Sequence, residues 1–157
     1  MVRPPAFLFV CLGNICRSPL AEAAFRQVAE AARLDVVADS AGTGNWHVGH
    51  PPDRRAQAVA LRHGMDISGY RARQVVVADF ERFDAIYALD CDNLADLGRL
   101  APGGSRARLG LLLDLVPGWE GRSVADPYYG DDAGFETSWH EVSTAARALV
   151  AMLRGAR

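Results

Sequence analysis

Ala6-Phe7-Leu8-Phe9-Val10-Cys11-Leu12-Gly13-Asn14-Ile15-Cys16-Arg17-Ser18-Pro19 is the stretch from which the fold can be read. The apolar run Ala6–Val10 is too short for an ordinary helix and suits a strand buried on both faces, as in a parallel sheet. Past the turn the period changes. From Ser18 to Arg33, Leu20, Ala24, Val28 and Ala31 recur at helical spacing, with Glu22, Arg26, Glu30 and Arg33 as the opposite polar stripe. Glu22 and Arg26 form a favourable i,i+4 pair, and Pro19 suits a first helical turn, where a missing N–H does no harm. A strand feeding a helix through a short turn opens a parallel α/β unit, whose ligands bind beyond the carboxyl ends of the strands.

Further along, the alternation continues. Asp35–Ser40 reads as a second strand, and Ala41–Pro52, rich in Gly, Pro and Asn, as a loop. Asp53–His63 reads as a helix with Asp53 at its start and Gly64 as its stop. Val75–Ala78 fits a strand or a short connector. Strands are expected at Asp84–Leu89 and Leu109–Leu113, with a short helix over Asn93–Leu100 between them. Pro117–Asp132 has no period and reads as a long loop, a length that usually marks function. Phe135, Trp139, Val142, Ala146, Leu149 and Leu153 define a terminal helix, with Ser138–Glu141 a candidate capping box within it. The expectation is one α/β domain over residues 1–157. It has three layers: a central four-stranded parallel sheet with helices on both faces, and a phosphate-binding loop between strand 1 and helix 1.

The residue types in that first turn suit an anion. A loop from Cys11 to Arg17 can curl its N–H groups inward as a nest, and the helix behind it adds unpaired N–H groups and a positive dipole end. Gly13 and Asn14 tolerate the left-handed backbone that a tight cradle needs. Arg17 offers a planar fork matching two phosphate oxygens. A cradle for a dianion also favours the thiolate of Cys11, to which the Ser18 hydroxyl can donate. A sulfur nucleophile beneath a tetrahedral oxyanion site suits in-line attack on phosphorus. Asp126, at an Asp-Pro turn in the long loop, is a candidate proton donor to the leaving oxygen. Leu12, Ile15, Trp46, Tyr128 and Tyr129 are candidates to wall a slot for a planar ring; Trp46 sits in a polar loop and is expected to be exposed, with His47 at the rim.

Cys11-Leu12-Gly13-Asn14-Ile15-Cys16-Arg17-Ser18-Pro19, together with Asp126-Pro127-Tyr128-Tyr129-Gly130, resembles the low-molecular-weight protein tyrosine phosphatases. The likeness extends over nearly the whole chain, through Ser40-Ala41-Gly42-Thr43 and Leu89-Asp90. It implies Cys11 as nucleophile, Arg17 as phosphate binder and transition-state clamp, and Asp126 as general acid. It also implies that Asn14, Ser18 and Ser40 hold the loop in shape, with His63 in the supporting network. Phosphate would be bound by the Leu12–Ser18 loop, and Ile15 and the two tyrosines would flank the ring of a phosphotyrosine protein or a small aryl phosphate. No metal or cofactor is expected. Cys16 lies in the same curled loop as Cys11 and is a candidate partner in a reversible disulfide.

Composition narrows the field. With 17 basic and 19 acidic side chains and a net charge of −2, a general nucleic-acid binder is not expected. Every basic side chain is Arg, so no lysine is present for Schiff-base chemistry. Three cysteines close no disulfide framework and lack zinc-ligand spacing, which suits a reducing, cytoplasmic location. No apolar run is long enough to span a membrane, and the start of the chain imitates a signal peptide only loosely. A monomer or weak dimer is expected. Arsenate reduction on a similar loop needs a cysteine relay, for which only Cys91 is at hand. Arginine phosphatases carry a small polar residue where Ile15 stands, and a phosphopeptide-binding module would need neither Cys11 nor Asp126.

Overall fold

The structure, a computed structural model, describes residues 3–155; the rest of the expected 1–157 domain lies outside the described residues. Strand β1 (Ala6–Cys11) leads into helix α1 (Arg17–Ala31), β2 (Val37–Gly42) and α2 (Arg54–Arg62). Then come α3 (Asp79–Arg82), β3 (Ala85–Ala88), α4 (Cys91–Leu100) and β4 (Arg108–Leu111). A 3-10 turn (Leu112–Leu115) follows β4, and α5 (Asp132–Gly155) ends the described chain. The four strands form one parallel sheet in the order β2-β1-β3-β4. This is the expected three-layer α/β domain.

β1 is buried throughout because it is paired on both sides and covered on both faces. Its side chains alternate between two cores. Phe7, Phe9 and Cys11 join Phe25, Phe135 and Trp139 on the α1/α5 face, while Ala6, Leu8 and Val10 join Phe80, Ile86 and Leu97 on the other. Among the described residues, no helix is long and apolar enough to cross a membrane.

Several boundaries shift from the sequence expectation. β2 runs on to Gly42 because Gly42 pairs with Cys11 and its N–H donates to Arg73 O at 2.8 Å. Val75–Ala78 is a connector leading into the short α3, which sequence periodicity missed. β4 is shorter than expected, its last residues tightening into the 3-10 turn. α4 starts at Cys91, two residues early, because Asp90 caps it, Oδ1 accepting from Asn93 N at 2.7 Å. α5 starts at Asp132, and Ser138 caps nothing: its hydroxyl donates to Gly134 O. Glu22 departs from the exposed polar stripe. α1 is buried from Arg17 to Phe25, so Glu22 points inward and donors surround its carboxylate.

Candidate active site

The loop between β1 and α1 sits at the carboxyl edge of the sheet, where Cys16 precedes α1 and no side chain caps the helix. The first-turn N–H groups of α1 are thus left for a ligand. Asn14 turns the loop with φ 59°, in the left-handed region. Its side chain pins that turn: Nδ2 donates to Ser18 Oγ at 2.8 Å and Ser40 Oγ at 3.0 Å, and Oδ1 accepts from Arg73 N at 3.0 Å. Gly13 tolerates the same backbone but does not adopt it. A Cβ there would crowd the His47 ring, at 3.0 Å. Gly42 is the tighter case, because a Cβ would stand 2.7 Å from Leu12 O.

Cys11 is buried at the floor of the loop, with Sγ 3.0 Å from Ser18 Oγ and accepting from Asn14 N at 3.3 Å. Ser40 Oγ donates to Glu22 Oε1 at 2.9 Å, and Arg26 Nε donates to Glu22 Oε2 at 2.9 Å. Burial pushes the Glu22 carboxyl above the usual range, against the opposing pull of Arg26 and Ser40. Cys16, buried beside Cys11, is held as a neutral thiol. Burial raises its pKa strongly, and Asp53, Cys11 and Asp126 push the same way.

Arg17 is only 3% exposed. Its Nη1 donates to Asp90 Oδ2 at 2.7 Å and Val124 O at 3.0 Å, and its Nη2 lies 3.5 Å from Asp126 Oδ2. Burial works against the guanidinium's charge, but Cys11, Asp90 and Asp126 outweigh it and raise its pKa. Asp90 therefore both caps α4 and aims Arg17. The sequence alone does not show this double role of Asp90, since a cap and an ion-pair partner 73 residues from Arg17 look alike there.

A cleft of about 440 Å³ opens above this floor. It brings together Cys11, Leu12, Gly13, Ile15, Cys16, Arg17, Trp46, Asp126, Tyr128 and Tyr129, with His47 beside them. Trp46 (67% exposed) and Tyr129 (93%) stand at the rim, as the polar loop around Trp46 suggested. The ring of Tyr128 meets Tyr129 edge-on at 4.9 Å. Asn14, Ser18 and Ser40 form a hydrogen-bonded network beneath. His63 is not in it. It ends α2 facing α5, where Nε2 lies 2.9 Å from Glu136 Oε2 and the ring stacks on Trp139 at 5.1 Å. The Asn14 side-chain carbonyl oxygen is instead held by the backbone N–H of Arg73. Cys91 lies outside the cleft, at the exposed start of α4 near Ser123.

Residues 6–157 match the family model described as low molecular weight phosphotyrosine protein phosphatase. The low molecular weight phosphotyrosine protein phosphatase of Schizosaccharomyces pombe is 46% identical over 138 residues, covering 86% of this chain and 88% of that protein. The crystal structure of YfkJ from Bacillus subtilis superposes with a TM-score of 0.89 at 39% identity, covering 99% and 98% of the two chains. A protein tyrosine phosphatase from Entamoeba histolytica, crystallised with Hepes in its active site, superposes with a TM-score of 0.91 at 35% identity, covering 97% and 98%.

Proposed function

The chain belongs to the low molecular weight phosphotyrosine protein phosphatase family and is a protein-tyrosine-phosphatase, and from that premise we propose that Cys11 is its nucleophile, Arg17 its phosphate clamp and Asp126 its general acid and base. The observation that carries the assignment is the meeting of all three in one cleft, with Asp126 Oδ2 3.5 Å from Arg17 Nη2 above the buried Cys11. The Cys11 thiolate attacks phosphorus in line with the aryl oxygen. The S–P bond forms as the P–O bond breaks, and the departing phenolate takes the proton of Asp126. Asp126, now a carboxylate, takes a proton from a water whose oxygen attacks the phosphocysteine. The S–P bond breaks, phosphate leaves, and Cys11 returns to the thiolate. Loop N–H groups and Arg17 neutralise the charge spread over the phosphoryl oxygens.

Leu12, Ile15, Trp46, Tyr128 and Tyr129 wall the slot for the substrate ring, on a phosphotyrosine-containing protein or a small aryl phosphate, and phosphate and other oxyanions compete for the cradle. The domain, residues 1–157, acts as a monomer or weak dimer in the cytoplasm, away from nucleic acid and membrane; three unpaired thiols support that location. When a peroxide oxidises Cys11 to the sulfenic acid, the Cys16 sulfur attacks it, the S–O bond breaks, and a reversible disulfide and water form. Phosphate release from a phosphotyrosyl peptide and from a phosphoarginyl protein tests the reading. The wild type is expected to prefer the first, and Cys11→Ser to release none while still binding inorganic phosphate. Steady-state turnover by Cys11→Ser would overturn the nucleophile, and a preference for phosphoarginine the substrate.

A further inference from the structure

Arg55, the second residue of α2, is half-buried, and every nitrogen of its guanidinium donates a hydrogen bond. Its Nε and Nη2 donate to the two carboxylate oxygens of Asp53, each at 3.0 Å, in a side-on pair. The same guanidinium reaches the acid loop. Nη2 donates to Tyr128 O at 2.8 Å and Nη1 to Gly130 O at 3.0 Å. Its Cζ lies 4.7 Å from the centre of the Phe135 ring and 5.7 Å from that of Tyr128. Asp53 is anchored at the other end: its backbone N–H donates to Ile15 O at 2.8 Å, within the phosphate loop.

A continuous set of bonds therefore runs from the phosphate loop through Asp53 and Arg55 to the acid loop. That loop has few other ties. Over residues 125–130, among the described residues, the hydrogen bonds and ion pairs to the rest of the protein are those from Arg55 and the Arg17–Asp126 contact. The residue whose carbonyl Arg55 holds is the one whose N–H orients the acid. Tyr128 O accepts from Arg55, and Tyr128 N donates to Asp126 Oδ1 at 3.0 Å.

We propose that Arg55 is a positioning residue that fixes Asp126 over the phosphate loop by clasping the Tyr128 and Gly130 carbonyls, with Asp53 aiming the clasp. This rests on Asp126 being the general acid. A lysine is a poor substitute, because one ammonium cannot hold the Asp53 carboxylate and two carbonyls in a plane at once. Arg55 touches neither the phosphoryl group nor Cys11, so its loss should spare phosphate binding and impair proton delivery.

The test is kcat/KM, which reads the steps up to departure of the aryl group, across aryl phosphates whose leaving groups range from dinitrophenol to phenol, for wild type, Arg55→Met, Asp126→Asn and the double variant. Arg55→Met keeps an unbranched side chain of similar length and removes the donors. A displacement of about an ångström at the acid loses roughly ten- to a hundredfold. The expected loss is therefore about tenfold or more for phenyl phosphate and under about threefold for dinitrophenyl phosphate, which needs little proton donation. The double variant should be no slower than Asp126→Asn, and inhibition by inorganic phosphate should stay within about twofold of wild type. Asp53→Asn keeps the helix cap but weakens the ionic hold, and should show the same dependence in smaller degree; it carries the test should Arg55→Met fail to fold. Equal slowing of all substrates by Arg55→Met beside a steep Asp126→Asn overturns this inference alone. A flat response of Asp126→Asn overturns the acid assignment, and this inference with it.

Discussion

Replacing Asn14 by Ala should unlock the phosphate loop, and the size of the effect can be worked from the contacts. The substitution removes the bonds to Ser18 Oγ, Ser40 Oγ and Arg73 N, all in buried or part-buried surroundings. At about 1 kcal/mol for each hydrogen bond, that is about 3 kcal/mol. Alanine must also adopt the left-handed backbone at φ 59°, which costs about 1–2 kcal/mol more. The sum, about 4–5 kcal/mol, approaches the lower end of the stability of a single domain, about 5–15 kcal/mol. Asn14→Gly separates the two terms. It loses the same bonds but escapes the backbone penalty, against a cost of about 0.5–1 kcal/mol from the freer unfolded chain. Urea unfolding of both variants reads the energies. Asn14→Gly should be the more stable by about 0.5–1 kcal/mol, and both should fall about 3 kcal/mol or more below wild type. A loss under about 1 kcal/mol in both would show that the side chain does not hold the turn.

Asp90→Asn keeps the α4 cap but removes the charge that holds Arg17 Nη1. Losing a charge-assisted bond of about 1.5–3 kcal/mol should lower kcat/KM on p-nitrophenyl phosphate by roughly ten- to a hundredfold, whereas an unchanged value would free Arg17 of that partner. The buried Glu22 carboxyl binds its proton more tightly folded than unfolded. Its contribution to stability is therefore full below the ordinary carboxylate range and is lost as pH rises through the raised folded value. Thermal melting against pH should fall less steeply over that rise in Glu22→Gln, and an identical slope would remove Glu22 as a cause. Cys16→Ser should be inactivated by peroxide with less recovery on dithiothreitol than wild type, and equal recovery would dismiss the disulfide.

The phosphate loop was legible because its signals are local. A five-residue apolar strand, a residue that tolerates left-handed backbone and a proline in the first helical turn all lie within Ala6–Pro19 and agree with one another. Asp53 and Gly64 marked α2 for the same reason: one caps by its own side chain, and the other takes φ 91° at the helix end. What failed to show depends on partners far along the chain. Glu22 fits an exposed helical stripe until β2 brings Ser40 against it. His63 was drawn to the loop by resemblance, but α5 offers Glu136 and Trp139 to it directly. Gly42 looked like the start of a loop, yet the approach of Leu12 O and the pairing with Cys11 make it the end of a strand. Four-residue α3 is shorter than any period can register.

The most direct measurement is to arrest the wild-type enzyme in mid-turnover of an aryl phosphate with a denaturing quench and locate the phosphoryl group by mass spectrometry. One phosphoryl group on Cys11, and none on Cys16, Cys91 or any histidine, is the expected result. A phosphoryl group on any other residue, or product formed at an undiminished rate by Cys11→Ser, would contradict the assignment of Cys11.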